Sequence, residues 1–293
     1  MALFYCRLLI SGGNERPGRG IVTDTTTGTR AFRPGRQLRR IRTAVADNGV
    51  LWTGYRLTTA ALRGLATHLD ERMRQLERQR HLTSTNTVRE NYATWQNWEW
   101  SQQGEEWTVS PEWKQSLIDE VLLRYIEPQR NVLEIGPGAG RWTETLQHIS
   151  QHLIVVDLSD KCIELCQQRF ADARNMEFHV NDGKSLKGIP DASVDFVWSF
   201  DVFVHIAPAT IDQYLAEVSR VLTPGGRGII HHVKAATPRA DGDRGWRSSM
   251  TAELFATMLR QHGLTLVTQF DSWGADGQFD VKTFGDTISV FEK

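Results

Sequence analysis

From residue 131 onward, short apolar runs alternate with amphipathic stretches. "NVLEIG", "HLIVVDL", "MEFHV", "VDFVWSF" and "GRGIIHHV" are rich in β-branched and aromatic side chains and read as strands. Between them, "GRWTETLQHI", "SDKCIELCQQRFADA" and "ATIDQYLAEVSRVL" carry apolar residues at helical spacing, with Ser159 capping the second and "TPGG" closing the third. "TAELFATMLRQHGL" follows as a helix, then "TLVTQFDSWG" and "DTISVFEK" as a terminal pair of strands. Apolar strands interleaved with helices predict a parallel sheet covered on both faces. Ligands of such sheets lie beyond the carboxyl ends of the strands, at the topological switch point.

Upstream the pattern changes twice. Leu62, Leu65, Leu69, Met73 and Leu76 form the apolar seam of an amphipathic helix, assigned to residues 58–90. That helix either lies on the main domain or pairs with a second copy as a short coiled coil, which would make a homodimer. Residues 91–128 hold five of the chain's ten tryptophans and read as an N-terminal cap. The tryptophans either anchor this segment to the core or cover a ligand pocket by folding over a glycine loop. Ser110-Pro111-Glu112 predicts a helix start, running to about Tyr125. Residues 1–57 are rich in Gly, Thr and Arg without sustained periodicity and read as a weakly ordered extension or an over-long start. The main domain is placed at 129–293.

Composition narrows the function classes. Of 293 residues, 40% are hydrophobic and 24% charged, as in ordinary globular proteins. No apolar run is long enough to span a bilayer, and the apolar opening is too short for a signal peptide, so a cytoplasmic protein with no membrane partner is expected. Cys6, Cys162 and Cys166 lack CxxC spacing and indicate neither a disulfide framework nor a zinc cluster. Residues 1–90 contain sixteen arginines, no lysine and seven acids, a net +9, which leaves −10 for the remainder. So acidic a body repels a phosphate backbone, and nucleic acid is disfavoured as a partner unless the basic arm supplies the attraction.

The chemistry starts at "NVLEIGPGAGRWTE". Gly136, Gly138 and Gly140 are spaced as GxGxG, whereas the dinucleotide fingerprint is GxGxxG. Glu134 stands in the approach to this turn, where a carboxylate repels a pyrophosphate but attracts an ammonium group. Asp157 ends the second strand, where it can accept two ribose hydroxyls, and Asp182-Gly183 follows the third, suited to an adenine's amino edge. Together "VLEIGPGAGRW", "LIVVDLS", "VNDG" and "VDFVWSFDVFVHI" resemble the sequential motifs of class I S-adenosylmethionine-dependent methyltransferases, over about residues 105–293. The resemblance implies a Rossmann-like, doubly wound α/β fold of seven strands, the last antiparallel, following an N-terminal helical or irregular extension, with S-adenosyl-L-methionine as cofactor. It also implies that Gly136, Gly138 and Gly140 pack on the methionine and ribose, with Glu134 nearby. Asp157 would take the ribose, Leu158 would press on the adenine, Asp182 and Gly183 would hold its amino edge, and Ser199 and Phe200 would face the methionine. Arg141 reads either as a site residue or as an ordinary helix residue.

The acceptor is read from the residues after the fourth strand. "SFDVFVHI" lacks the Asn/Asp-Pro-Pro-aromatic motif of nucleobase amine methylation. Asp201 and His205 are four apart, so on a helical turn they share a face. An imidazole is well matched to take a hydroxyl's proton at neutral pH, making His205 the expected general base with Asp201 orienting it or binding substrate. Of His231 and His232, which end the fifth strand, one faces the site, and His232 is taken for it. Trp246 and Arg247, with Arg244, lie in a long polar loop that reads as a substrate lid. These His and Asp groups could also hold a divalent ion that polarises a hydroxyl, but they make no complete ligand set, so no metal site is assigned. The leading reading is methyl transfer to a small-molecule hydroxyl, a sugar or glycoside. Small-molecule N-methylation and a nucleic-acid-associated enzyme using the basic arm are the alternatives.

Overall fold

The computed structural model describes residues 34–80, 86–127, 130–235 and 247–293. Most of the Arg-rich extension (1–33), with Arg244 and Trp246 of the expected lid, lies outside the described residues. The chain divides into two units, Met1–Glu71 and Arg72–Lys293.

Helix α1 (Pro34–Arg80) begins well upstream of the expected Thr58. Proline is tolerated at a helix start, and Arg, Gln, Leu and Ala, all good helix formers, dominate from Gln37 to Ala46. The Gly- and Thr-rich composition of the wider 1–57 stretch hid this run. Gly49, at φ 82° and ψ 165°, breaks the helix inside. Leu62, Leu65, Leu69, Met73 and Leu76 are all exposed on it.

In the second unit, α2 (Val88–Asn97) starts at Thr87, whose hydroxyl accepts the Glu90 N–H at 3.2 Å. Helix α3 (Pro111–Ser116) starts where the Ser-Pro-Glu triplet predicts, with Ser110 Oγ accepting the Trp113 N–H at 3.1 Å. It continues through a π-helical stretch (Leu117–Leu122) into α4 (Leu123–Tyr125). Then come β1 (Asn131–Ile135), α5 (Thr143–Ile149), β2 (His152–Asp157), α6 (Asp160–Arg169), β3 (Met176–Val180), β4 (Val194–Ser199), α7 (Pro208–Val221), β5 (Leu222–Val233), α8 (Ala252–Gln261) and β6 (Thr265–Phe270). A short hairpin, β7 (Ser272–Trp273) and β8 (Phe279–Asp280), precedes β9 (Asp286–Glu292).

The sheet order is β3-β2-β1-β4-β5-β9-β6, with β9 antiparallel to both neighbours and the β3 to β5 pairs parallel. This is the seven-stranded α/β sheet expected. Alternation along β1 sends Leu133 and Ile135 into one core with α7 and α8. Val132 faces the opposite core, with Trp113, Trp142, Leu146 and Trp198. Glu134 lies on the Val132 side, so its carboxylate is carried into an interior that offers it little water. Strand order reverses between β1 and β4, and the expected site residues gather at that edge.

Among the described residues no helix is long and apolar enough to cross a membrane.

Candidate active site at the carboxyl edge of the sheet

The turn after β1 is held by the Gly136 N–H donating to Val156 O at 2.8 Å. Gly138, at φ 59°, has the Trp100 ring where a β-carbon would stand, 2.8 Å away. The Trp-rich segment therefore covers the glycine turn. Trp95, Trp98, Trp100 and Trp107 pack on one another with ring centroids 5.2–6.1 Å apart. Ser159 Oγ donates to Gln96 at 2.8 Å and Lys161 Nζ to Trp98 O at 2.9 Å, tying the segment to the start of α6. Gly183 has Val88 against it in the same way.

Glu134 is 1% exposed. Its Oε2 accepts the Thr143 hydroxyl at 2.6 Å, while Oε1 is buried without a hydrogen-bond partner. Burial raises its pKa to about 8, with the Asp157 charge adding to the rise and Thr143 and Arg141 opposing it. Arg141 is 4% exposed and lies over the Trp142 ring at 4.9 Å. Its Nη2 pairs with Asp201 Oδ2, and its Nη1 is buried with no partner. A carboxyl oxygen and a guanidinium nitrogen, both buried and both short of a bond, thus flank one turn. The costs of such groups are large enough that native proteins keep few of them, and a ligand carrying a cation and an anion side by side would satisfy both. The α-amino acid end of S-adenosylmethionine has that form, so the residues present fit the cofactor.

Asp157 ends β2 with its Oδ1 accepting the Ser159 N–H at 2.8 Å. Burial raises its pKa to about 6, against the lowering effect of the Ser159, Gly138 and Leu158 N–H groups. Leu158 is half-buried beside Gly183. Asp182 is exposed and accepts the Lys184 and Ser185 N–H groups at 3.2 and 2.8 Å, closing a turn. Ser199 and Phe200 are drawn inward. The Ser199 hydroxyl donates to Ile135 O at 2.8 Å, and Phe200 stacks between Trp198 and His231 at centroid distances of 5.7 and 4.3 Å. Both build the floor of the edge.

The expected Asp201–His205 partnership is replaced by another. Asp201, at a left-handed φ of 61°, faces Arg141 through Oδ2 and His231 Nδ1 through Oδ1, the latter at 3.1 Å. Its own N–H also reaches His231 Nδ1, at 3.2 Å. Burial alone would raise its pKa, but Arg141 and His231 outweigh burial and hold the carboxyl well below the usual carboxylate range. His205 ends a single 3-10 turn (Phe203–His205), so residues four apart here do not share a face as on an α-helix. Its ring lies against Trp95 at 5.3 Å, and its carbonyl accepts the Asn86 and Asn91 side-chain amides at 3.0 and 2.8 Å.

His232 is corrected by the alternation of β5. It is fully buried toward α8, stacked on Phe255 at 3.8 Å, with Nδ1 at 2.9 Å from Val233 O and Nε2 at 2.7 Å from Ser289 Oγ. Burial drives its pKa down to about 3, so it is a neutral core residue away from the site. His231 is the one that faces the edge, with Nε2 3.6 Å from Asp286 Oδ2. Arg247 closes this chain of charges, its Nη2 3.2 Å from Asp286 Oδ2. Asp286 is a residue that sequence reasoning missed. It opens the antiparallel last strand, so the reversal of direction brings it to the carboxyl edge beside β5. Thr143 was missed too, although it stands one helical turn beyond the glycines. Among the described residues no three His, Cys, Asp or Glu side chains are grouped to hold a metal ion.

A seven-stranded sheet of this order, with an acid-bearing GxGxG turn at its switch point, is the arrangement that the resemblance to class I S-adenosylmethionine-dependent methyltransferases implies. Residues 132–226 match the family model described as a methyltransferase domain. Among curated proteins, the chain is 32% identical over 127 residues to the eEF1A lysine and N-terminal methyltransferase of Mus musculus, covering 40% of this chain and 18% of that protein. It is 31% identical over 121 residues to the demethylmenaquinone methyltransferase of Deinococcus radiodurans, covering 40% of this chain and 48% of that one. The chain thus spans less than half the length of either relative. Among solved structures, the N-methyltransferase NodS from Bradyrhizobium japonicum in complex with S-adenosyl-L-homocysteine superposes with a TM-score of 0.51 at 19% identity, over 72% of this chain and 99% of that one. That likeness is one of fold.

Proposed function

We propose that this chain transfers a methyl group from S-adenosyl-L-methionine to a hydroxyl of a small molecule, a sugar or glycoside. The observation that carries the reading is the placement of an acid–histidine pair, half-buried Asp201 and buried His231, one ion pair away from the residue that follows the glycine turn. When bound, the cofactor supplies an electrophilic methyl group on a sulfonium. What the chain must add is position and a proton acceptor, because a hydroxyl becomes a competent nucleophile only as its proton leaves. Asp201, with a quarter of its side chain exposed, is the member of the pair that an acceptor can reach. The hydroxyl's proton passes through Asp201 Oδ1 to His231 Nδ1 behind it, 3.1 Å away, and Asp286 on the far nitrogen stabilises the imidazolium that results. Stacked on Phe200, the imidazole is fixed in orientation. Trp95, Trp98, Trp100 and Trp107 form an aromatic wall over the edge, suited to a sugar's apolar face.

Transfer to a small-molecule amine is the second reading, supported by relatives named for nitrogen, among them phosphoethanolamine N-methyltransferase 1 of Triticum aestivum, 32% identical over 104 residues. An amine that arrives neutral has less need of a base. Tritium from methyl-labelled cofactor, followed into a panel of glycosides and primary amines, separates the two. Label in the glycosides, lost in His231→Gln, supports the hydroxyl reading. Label only in amines, unchanged in His231→Gln, overturns it. Absence of S-adenosylhomocysteine binding by calorimetry removes both.

A further inference from the structure

The reading above makes His231 the final proton acceptor, and on that reading its imidazole must rest without the proton it is to receive. Its surroundings push the other way. Asp201 Oδ1 lies 3.1 Å from Nδ1, and Asp286 Oδ2 lies 3.6 Å from Nε2. The residue is 2% exposed and stacked on Phe200, so little water screens either acid. Two carboxylates beside a buried imidazole favour the imidazolium, and an imidazolium is no base.

The hydrogen bonds at the ring separate its two sides. Nδ1 accepts the Asp201 N–H at 3.2 Å, which puts the one proton of the neutral ring on Nε2, toward Asp286. Nε2 is buried without a hydrogen-bond partner, since 3.6 Å is too long for such a bond, and Asp286 therefore acts on the ring through its charge. A charge is cancelled by a charge. Arg247 Nη2 stands 3.2 Å from the same Oδ2 atom of Asp286, just as Arg141 Nη2 stands on Oδ2 of Asp201. Among the described residues, each acid that flanks the imidazole thus has its own guanidinium, and the set is neutral when the ring is. His232, the next residue along β5, is held neutral by burial and adds no charge. Arg247 is also fixed in place through its neighbour. The Ser248 N–H donates to Val204 O at 2.7 Å and Ser248 Oγ to Ile206 O at 2.5 Å, which ties this stretch of backbone to the turn that follows Asp201.

We propose that Arg247 is a positioning residue for methyl transfer: by answering Asp286, it keeps His231 free of a proton between turnovers. The proton taken from an acceptor hydroxyl then leaves to solvent instead of staying on the ring. Arg247 acts here through Asp286, a different role from the substrate contact expected of it in the polar loop.

The test needs no acceptor. Histidine labelled with heavy nitrogen in the full chain reports the protonation of each ring nitrogen by proton–nitrogen correlation NMR, and His231→Gln assigns the ring by the signals it removes. In wild type the neutral ring should carry its proton on Nε2. In Arg247→Gln the pH midpoint of the ring should rise by about one unit or more, about a tenfold gain in proton affinity. Arg247→Lys, which keeps the charge, should stay close to wild type. Should Arg247→Gln fail to fold, Asp286→Asn removes the acid and leaves the cation beside the ring, and the midpoint should fall instead. The acid limb of glycoside labelling should move with the midpoint, while affinity for S-adenosylhomocysteine stays within a few-fold of wild type. An unchanged midpoint in Arg247→Gln or Asp286→Asn overturns the proposal, as does an equal rise in Arg247→Lys or a turnover that drops equally at every pH, either of which would make the contact one of packing. Failure of the hydroxyl reading looks different: a midpoint that shifts as expected in a chain that labels only amines removes the base and leaves the charge pairing in place.

Discussion

Two buried polar regions of the same domain behave differently. Around His232, at the end of β5, both ring nitrogens have partners, Val233 O and Ser289, and the ring is stacked on Phe255. Around the turn after β1, Glu134 Oε1 and Arg141 Nη1 are as deeply buried and have none. Full satisfaction marks a structural group, whose contacts fix the packing of β5 on β9. Incomplete satisfaction costs free energy that folding does not recover and that a ligand can. The contrast separates two adjacent residues, since His231 belongs to the charged edge and His232 to the core. It also yields tests that push the two regions apart.

The largest effect is expected at the acid–histidine pair. His231→Gln or Asp201→Asn should lower kcat by about 10²- to 10⁴-fold, as for loss of a general base, with S-adenosylhomocysteine affinity within a few-fold of wild type. A His231→Gln enzyme with unchanged kcat would return the base to His205. Next is Glu134→Gln, which should weaken S-adenosylhomocysteine by about tenfold or more and weaken its decarboxylated form equally, because both keep the ammonium group. Titration calorimetry on the two ligands reads both losses.

Glu134 also predicts a pH dependence. Its folded pKa, raised to about 8, lies above the ordinary 4.5, so the ligand-free protein holds this proton and must release it to bind a cation. Donor affinity should therefore rise with pH up to about 8 and then level, with proton release at pH 7 measurable in buffers of different ionisation enthalpy and absent in Glu134→Gln. For stability the sign is opposite. The protonated carboxyl's contribution is complete below about 4.5 and is lost as pH rises through about 8, so the ligand-free wild type should lose stability over that window relative to Glu134→Gln.

On the satisfied side, Ser289→Ala leaves His232 Nε2 buried without its partner and should cost about 1–3 kcal/mol in chemical denaturation, with no change in ligand preference. The smallest effect belongs to the exposed stripe of α1, where Leu65→Ser should change stability by less than about 0.5 kcal/mol. A drop in apparent mass on gel filtration would instead reveal a dimer seam there.

Much of this was legible in the chain. The alternation of strands and helices, the Ser110 cap and the acid ending β2 all follow from local pattern, because periodicity and capping depend on near neighbours. Partnerships were less so. Asp201 and His205 look paired at a spacing of four, but the backbone there makes a single 3-10 turn, and Asp201 turns to a strand thirty residues on. Asp286 has no motif around it, and only pairing across the sheet brings it to His231.

The sequence by itself determined the sheet-forming pattern, the glycine turn and an acid beside it, since each is written in residues next to one another. The tertiary structure alone decided which histidine of the adjacent pair faces the edge, that Arg141 joins the turn to Asp201, and which buried atoms are left without partners. Those outcomes depend on which elements pack together and on how much water they exclude, and both are properties of the assembled fold.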